Sequence, residues 1–244
     1  MQAVILSDIH ANLEALEAVL ADAGTWDELW FLGDIVGYGP DPVPCIERLR
    51  REAPAHWLAG NHDLAALGVL DTSQFNPEAR RAAEWTAEHL DDAMRAALRE
   101  LAAWAELPAY GTVLVHGSPR HPVWEYILNA VTAAENFPHF AADLCLFGHT
   151  HVPVAYEEGV DGALRLALQP GSPLRLDPAS RYLVNPGSVG QPRDGDPRAS
   201  YARFDAGAQS ISLHRVPYDI RATQAKILAA GLPERLAARL EFGW

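Results

Sequence analysis

The chain alternates between short, mainly apolar runs and longer runs whose apolar residues recur every three or four positions. Runs at 2–6, 28–32, 55–58, 111–115 and 144–147 predict strands buried on both faces. Between the first two, Leu13, Leu16, Val19 and Leu20 form one face of a helix over 12–23, with Asn12 as its cap. Asp41-Pro42 opens a second helix that runs to about Ala53. The βαβαβ order implies a parallel sheet with right-handed crossovers. Residues 64–107 break this rhythm. Asn76-Pro77 starts an Ala-rich helical stretch that reaches about Ala105, and Pro108 ends it, so the segment predicts a helical insertion over the strand ends. A helix over 132–140 precedes the 144–147 strand. After residue 152, short runs at 152–156, 163–168, 181–184, 199–205 and 209–216 are separated by Gly, Pro and Asp, which predicts antiparallel pairing. Helices over 219–229 and 233–241 close the chain. No repeat or long linker interrupts it, so residues 1–244 are expected to form one two-sheet α/β domain, with 64–107 inserted and 219–244 as terminal helices.

The formal net charge of −13 argues against broad nucleic-acid binding but permits a small phosphorylated substrate where cations supply local positive charge. Two cysteines, Cys45 and Cys145, form no CxxC, and no apolar stretch reaches membrane-spanning length. Because a strand begins at residue 2 and Asp8 follows at once, a cleaved leader is not expected, and a cytoplasmic location is.

The candidate chemistry sits just after the predicted strands. Asp8-Ile9-His10, Gly33-Asp34, Gly60-Asn61-His62-Asp63, His116 and Gly148-His149-Thr150-His151 place polar groups where strand ends of an α/β sheet converge. Asp8 with His10, and His149 with His151, are alternate residues; in extended chain each pair points one way and can share a divalent ion. A carboxylate such as Asp34 can bridge two ions, and the Asn61 amide oxygen is a neutral hard ligand. Each motif alone has a plainer reading, as a polar loop, a β-turn or a strand-end histidine. Their joint occurrence does not, because five of the ten histidines fall within them. No GxGxxG, GxxxxGK, GxSxG or HExxH competes.

This set of motifs resembles that of the calcineurin-like metallophosphoesterase superfamily, in particular its small prokaryotic phosphodiesterase-like branch, over residues 3–190. The resemblance implies a four-layer α/β/β/α sandwich of two mixed sheets flanked by helices. It implies two divalent cations, Mn²⁺ first and Fe, Zn²⁺ or Ni²⁺ as alternatives. Asp8, His10, Asp34 and His151 would hold one; Asp34, Asn61, His116 and His149 would hold the other; His62 would assist the leaving group. Water acidified between ions about 3.5–4 Å apart would attack phosphorus in line. Gly37 stands where related protein phosphatases carry the acid that orients this histidine, and their phosphate-gripping arginines are missing. Asp63 is the nearest replacement for that acid, with loop structuring as its other reading.

Asn185-Pro186-Gly187-Ser188 resembles the NPGS loop of small prokaryotic members. Asn185, Ser188, Arg193, Tyr38 and His121 are the candidate substrate contacts, and Arg120, Trp124 and Tyr126 are further candidates for the pocket wall. The expected activity is that of a phosphodiesterase. The alternatives are a nucleotide or dinucleotide polyphosphate hydrolase, a phosphomonoesterase, and a non-catalytic binding module on the same fold. Leu232, Leu236, Leu240 and Phe242 leave the last helix free to pack on the body or to join copies of the chain.

Overall fold

The computed structural model describes residues 1–244. Its two six-stranded sheets stack face to face. One contains β1 (Gln2–Leu6), β2 (Glu28–Phe31), β3 (His56–Trp57), β9 (Leu174–Arg175), β11 (Ala199–Asp205) and β12 (Ser210–Val216), in the order β3-β2-β1-β11-β12-β9. The other contains β4 (Trp104–Leu107), β5 (Thr112–Val115), β6 (Leu144–Leu146), β7 (Val154–Gly159), β8 (Gly162–Leu166) and β10 (Tyr182–Asn185), in the order β4-β5-β6-β10-β7-β8. Pairings β1–β2, β2–β3, β5–β6 and β6–β10 are parallel and the rest antiparallel, so both sheets are mixed.

The two-residue period of the strands explains the layers. In β1, Ala3 and Ile5 enter the core between the sheets, while Val4 and Leu6 face α1 (Leu13–Ala23) and α2 (Pro42–Arg51). Trp30 and Leu32 join the inter-sheet core, and Leu29 and Phe31 the helix side. Leu144 and Leu146 repeat this in the second sheet, where Cys145 and Phe147 pack with α6 (Ala130–Asn136). Strands buried on both faces cannot show polar alternation, hence their unbroken apolar runs.

The inserted segment differs from its expectation. Three helices occur there, α3 (Asn61–Ala66), α4 (Pro77–His89) and α5 (Asp92–Arg99), and the stretch then turns to strand. Asp91 caps α5 through the Met94 amide, which breaks the expected long helix in two. Trp104–Leu107, where the expected helix reaches its end at about Ala105, pairs antiparallel with β5 as an edge strand; its pairing to β5 overrides the Ala-rich composition. The predicted 132–140 helix stops at Asn136, and Phe137–His139 form a 3-10 turn containing Pro138. The two-residue strand β9 carries no readable periodicity. Terminal helices α7 (Ile220–Ala229) and α8 (Glu234–Ala238) lie on the body: Leu232, Leu236 and Leu240 share a cluster with Tyr38, Phe75, Ala79 and Trp85. Those leucines are therefore spent within the chain, whereas Phe242 is 48% exposed. Both cysteines are buried and free, and no helix is long and apolar enough to cross a membrane.

Candidate metal centre

The loops leaving β1, β2, β6 and β10 are laced together by their own backbones. Past β1, the amides of Asp8, His10 and Ala11 donate to Gly33, Asp34 and Ile35 carbonyls at 2.9–3.0 Å, extending the β1–β2 pairing beyond the strands. From the other side, Val189 and Gly190 amides donate to Ser7 and Asp8 carbonyls at 3.0 Å. Asp8 is thus held between two neighbouring loops.

Asp8, His10, Asp34, His149 and His151 all have left-handed backbones, with φ of 54°, 50°, 60°, 63° and 60°. The expectation of extended chain at the two alternate-residue pairs is therefore corrected. Asp-x-His and His-x-His still converge, but each tip reverses sharply instead of continuing the strand. Such φ values are uncommon outside glycine, and their gathering at one place marks strain held by the surrounding packing.

The side chains converge in two clusters, both buried: Asp8, His10 and His151 in one, Asp34, His116 and His149 in the other. In the first, Nε2 of His151 lies 3.2 Å from Asp8 Oδ1 and 3.0 Å from His10 Nε2. In the second, His116 Nε2 lies 3.2 Å from His149 Nδ1 and 3.1 Å from Asn61 Oδ1. Asp34 Oδ2 stands between them, 3.6 Å from His10 Nε2 and 3.3 Å from His116 Nε2. All seven residues picked from the sequence are brought together.

Each carboxylate divides its oxygens. Asp8 Oδ2 accepts from the Ser7 hydroxyl and the His149 amide, while its buried Oδ1 has no hydrogen bond. Asp34 Oδ1 accepts from the His62 amide, while its buried Oδ2 has none. The imidazoles are divided likewise. Nδ1 of His10, His116 and His151 donates to the carbonyls of Val36, Leu32 and Gln191 at 3.0, 2.9 and 2.6 Å, which frees Nε2. His149 is reversed: its Nε2 donates to the Trp124 carbonyl at 3.2 Å, which frees Nδ1. Rings fixed through one nitrogen with the other turned to a common point are built as for metal ligation. Buried carboxylate oxygens without partners carry a desolvation cost that a cation would offset. The residues present fit two divalent ions.

Burial would raise the Asp8 and Asp34 carboxyls, but neighbouring imidazoles, His151 and His116 foremost, hold both well below the usual carboxylate range. Burial also opposes charging of His116, yet Asp34 beside it draws it up to about 9. Burial pushes His10, His149 and His151 down, and His62 to about 4.

His62 makes no ion pair or side-chain hydrogen bond; its Nδ1 is buried without a partner. Packing fixes the ring. Tyr38, Phe75 and His10 surround it at centroid distances of 4.3, 4.8 and 4.9 Å. A Cβ on Gly37 would lie 2.6 Å from His62 Nδ1, and Gly37 has φ +88°, so only glycine fits against this face. Asp63 does not orient His62. Its Oδ2 accepts from the Gly60 and Asp34 amides at 2.9 Å and its Oδ1 from Val36 at 3.1 Å, tying the Asp34 loop to the start of α3. Burial and the Asp34 charge push the Asp63 carboxyl up to about 7.

Beside the clusters lies a cavity of about 230 Å³ walled by Tyr38, Asn61, His62, Phe75, Trp124 and Tyr126, among others. Tyr126 stacks on His149 at 3.9 Å, and Phe75 on Trp124 at 5.7 Å. Of the expected substrate contacts, Tyr38 borders the cavity and Arg193 sits over its ring, 5.6 Å from the centroid. The others are placed differently. Asn185 is fully buried, donating to the Gly148 carbonyl and accepting from the Gly187 amide. Ser188, equally buried, donates to the Asp8 carbonyl and accepts from the Gln191 amide. Both brace ligand loops, and neither reaches the cavity. His121 is exposed and builds the turn after β5 through its backbone, and Arg120 is ion-paired with Glu125 and Glu135. Phase and spacing could not have found Ser7, Phe75, or the Trp124 and Gln191 carbonyls, because their roles depend on contacts between distant loops.

Comparisons with known proteins agree with this architecture. A structure described as a metallophosphoesterase from Sphaerobacter thermophilus is 50% identical, covers 100% of this chain and 99% of its own, and superposes with a TM-score of 0.91. An uncharacterized protein of Methanocaldococcus jannaschii is 40% identical over 98% of this chain and 97% of its own length. A symmetrical bis(5'-nucleosyl)-tetraphosphatase of Photorhabdus laumondii is 37% identical, but over 73 residues only, 28% of this chain and 26% of that protein. The family model for the calcineurin-like phosphoesterase superfamily domain matches residues 1–209, the span that carries both sheets' parallel strands and every ligand-type side chain at their ends. The chain belongs to the calcineurin-like phosphoesterase superfamily.

Proposed function

We propose that the protein is a metal-dependent phosphodiesterase. One observation carries this reading: Asp8 Oδ1 and Asp34 Oδ2, which accept no hydrogen bond, face a ring of imidazole nitrogens that are all fixed from behind. Asp8, His10, Asp34 and His151 hold one cation; Asp34, Asn61, His116 and His149 hold the other. Nitrogen and oxygen donors without thiolate suit Mn²⁺, with Fe, Zn²⁺ or Ni²⁺ as substitutes. Bound there, the cations supply Lewis acidity to phosphoryl oxygens and lower the pKa of water towards neutrality.

The chain's own groups do the rest. Asp34 fixes the spacing between the clusters. His62, kept neutral by burial, borders the cavity and offers a ring N–H to the leaving oxygen. Phe75, Trp124 and Tyr126 shield the site from bulk water and form an apolar wall for an organic ester group. Arg193 supplies a cationic group over the Tyr38 ring, which also borders the cavity. A diester carries one charge and a monoester up to two, so a site with few cationic side chains suits the diester. A nucleotide or dinucleotide polyphosphate hydrolase is the second reading, favoured by the aromatic wall and by the partial tetraphosphatase match. Free buried cysteines agree with a cytoplasmic setting.

The test is hydrolysis of bis-p-nitrophenyl phosphate and p-nitrophenyl phosphate by Mn²⁺-loaded protein. Turnover of the diester above the monoester is expected. Faster monoester turnover would overturn the diester preference, and no turnover of either by fully loaded protein would mark a binding module.

A further inference from the structure

The family match ends at residue 209, yet the segment beyond it returns to the site. Leu236 and Leu240 pack into the cluster that holds Tyr38 and Phe75, which brings Arg239 to the Tyr38 ring. Its guanidinium carbon lies 6.0 Å from that ring's centroid, and that of Arg193 lies 5.6 Å from it. Tyr38 itself touches His10 and His62, at 4.8 and 4.3 Å. Two guanidiniums are therefore one aromatic ring away from the metal centre. The Arg193 guanidinium bonds to the Gln191 side-chain oxygen and that of Arg239 to the Trp244 main-chain oxygen, and no side-chain carboxylate pairs with either. Burial first, and then the Arg193 charge, lowers Arg239 to about 10. Half-buried like charges at close quarters are offset when an anion joins them.

Past Arg239 opens a second cleft, of about 400 Å³, lined by Asn76, Glu78, Arg235, Phe242 and Trp244 among others. Asn76 lines both this cleft and the cavity at the metal centre. Phe242 and Trp244 stack at 4.7 Å and 24°, and are 48% and 64% exposed. A stacked aromatic pair left open to solvent beside a guanidinium is a surface suited to a planar ring attached to an anion.

We propose that this cleft is a second subsite that takes the distal half of the substrate, a phosphate group at Arg193 and Arg239 and an aromatic ring against Phe242 and Trp244. The substrate class is then a nucleotide-type ester with a second phosphate beyond the scissile one. This rests on the phosphoesterase reading for the first phosphate, but its binding test does not need turnover.

Calorimetric titration of Mn²⁺-loaded protein with α,β-methylene-ADP and with methylenediphosphonate reads the subsite directly. The wild type should bind the nucleotide at least tenfold tighter than the ring-free probe. Arg239→Gln should weaken both probes fivefold or more, with Arg239→Lys intermediate. Trp244→Ala should weaken the nucleotide fivefold or more and the ring-free probe less than twofold. Nucleotide affinity within twofold of wild type in both Arg239→Gln and Trp244→Ala would overturn the proposal, even if bis-p-nitrophenyl phosphate is hydrolysed. The expected ratios in a protein inert towards that ester would retain the subsite and remove the esterase reading.

Discussion

Asp34 is the residue on which the metal centre turns. One oxygen holds the His62 amide and the other faces both clusters. Asp34→Ala should empty or disorder both metal positions, so metal analysis after gel filtration should fall from two equivalents towards zero; retention of two would contradict a shared carboxylate. His62 occupies the opposite case, near the clusters but outside them. His62→Ala should lower kcat by about 10²–10⁴-fold with metal content unchanged. Gly37→Ala should act through the same ring, because the added methyl meets His62 Nδ1. Lost turnover with retained metal is expected, and unaltered kcat would show that ring placement is immaterial. At this scale the seven ligand-type residues and His62 were legible, since strand periodicity delivers strand ends and the chemistry of the side chains does the rest. Asn185 and Ser188 were misread as substrate contacts. Their sequence marks a tight polar loop, but whether such a loop faces the ligand or braces its neighbours depends on Gly148 and on Asp8, the latter 180 residues from Ser188 in the chain.

Between elements, polar side chains act as fasteners. Asp63 ties the loop after β2 to the start of α3 through three backbone amides. Asp63→Ala leaves buried donors unpaired and should lower unfolding free energy by about 2–5 kcal/mol, read from urea denaturation. After β5, Glu125 accepts from Ser118 and Asn136 and pairs with Arg120. Burial alone would raise its carboxyl, but Arg120, Asn136 and Ser118 outweigh this and hold it at about 2. A folded-state value below the unfolded one, about 4.3, contributes stability above pH 4.3 that is lost as pH falls towards 2. Wild type should exceed Glu125→Gln by at most about 3 kcal/mol at pH 6, with the gap closing between pH 4.3 and 2; a constant gap would contradict the network. The strand β4 shows why the inserted segment was only partly readable. Its residues carry helical composition, and their state is set by an open edge of β5 that local sequence does not encode.

Across the whole molecule, two stacked sheets bring loops from both halves of the chain to one edge, and the terminal helices close over it. The alternating order of elements made the layers legible. The return of residues 236–244 to the site was not, because Leu232, Leu236 and Leu240 specify an apolar face but not the surface it meets. A cradle of unpaired carboxylate oxygens implies that cations and fold support each other. Mn²⁺ at a hundred times its Kd should add about 2.7 kcal/mol per site, raising Tm by several degrees, with EDTA reversing the gain. The most direct measurement is anomalous diffraction from Mn²⁺-loaded crystals. The account predicts two peaks about 3.5–4 Å apart, with Asp34 Oδ2 between them and His10, His116, His149 and His151 around them. A single peak, or peaks remote from Asp34, would contradict it.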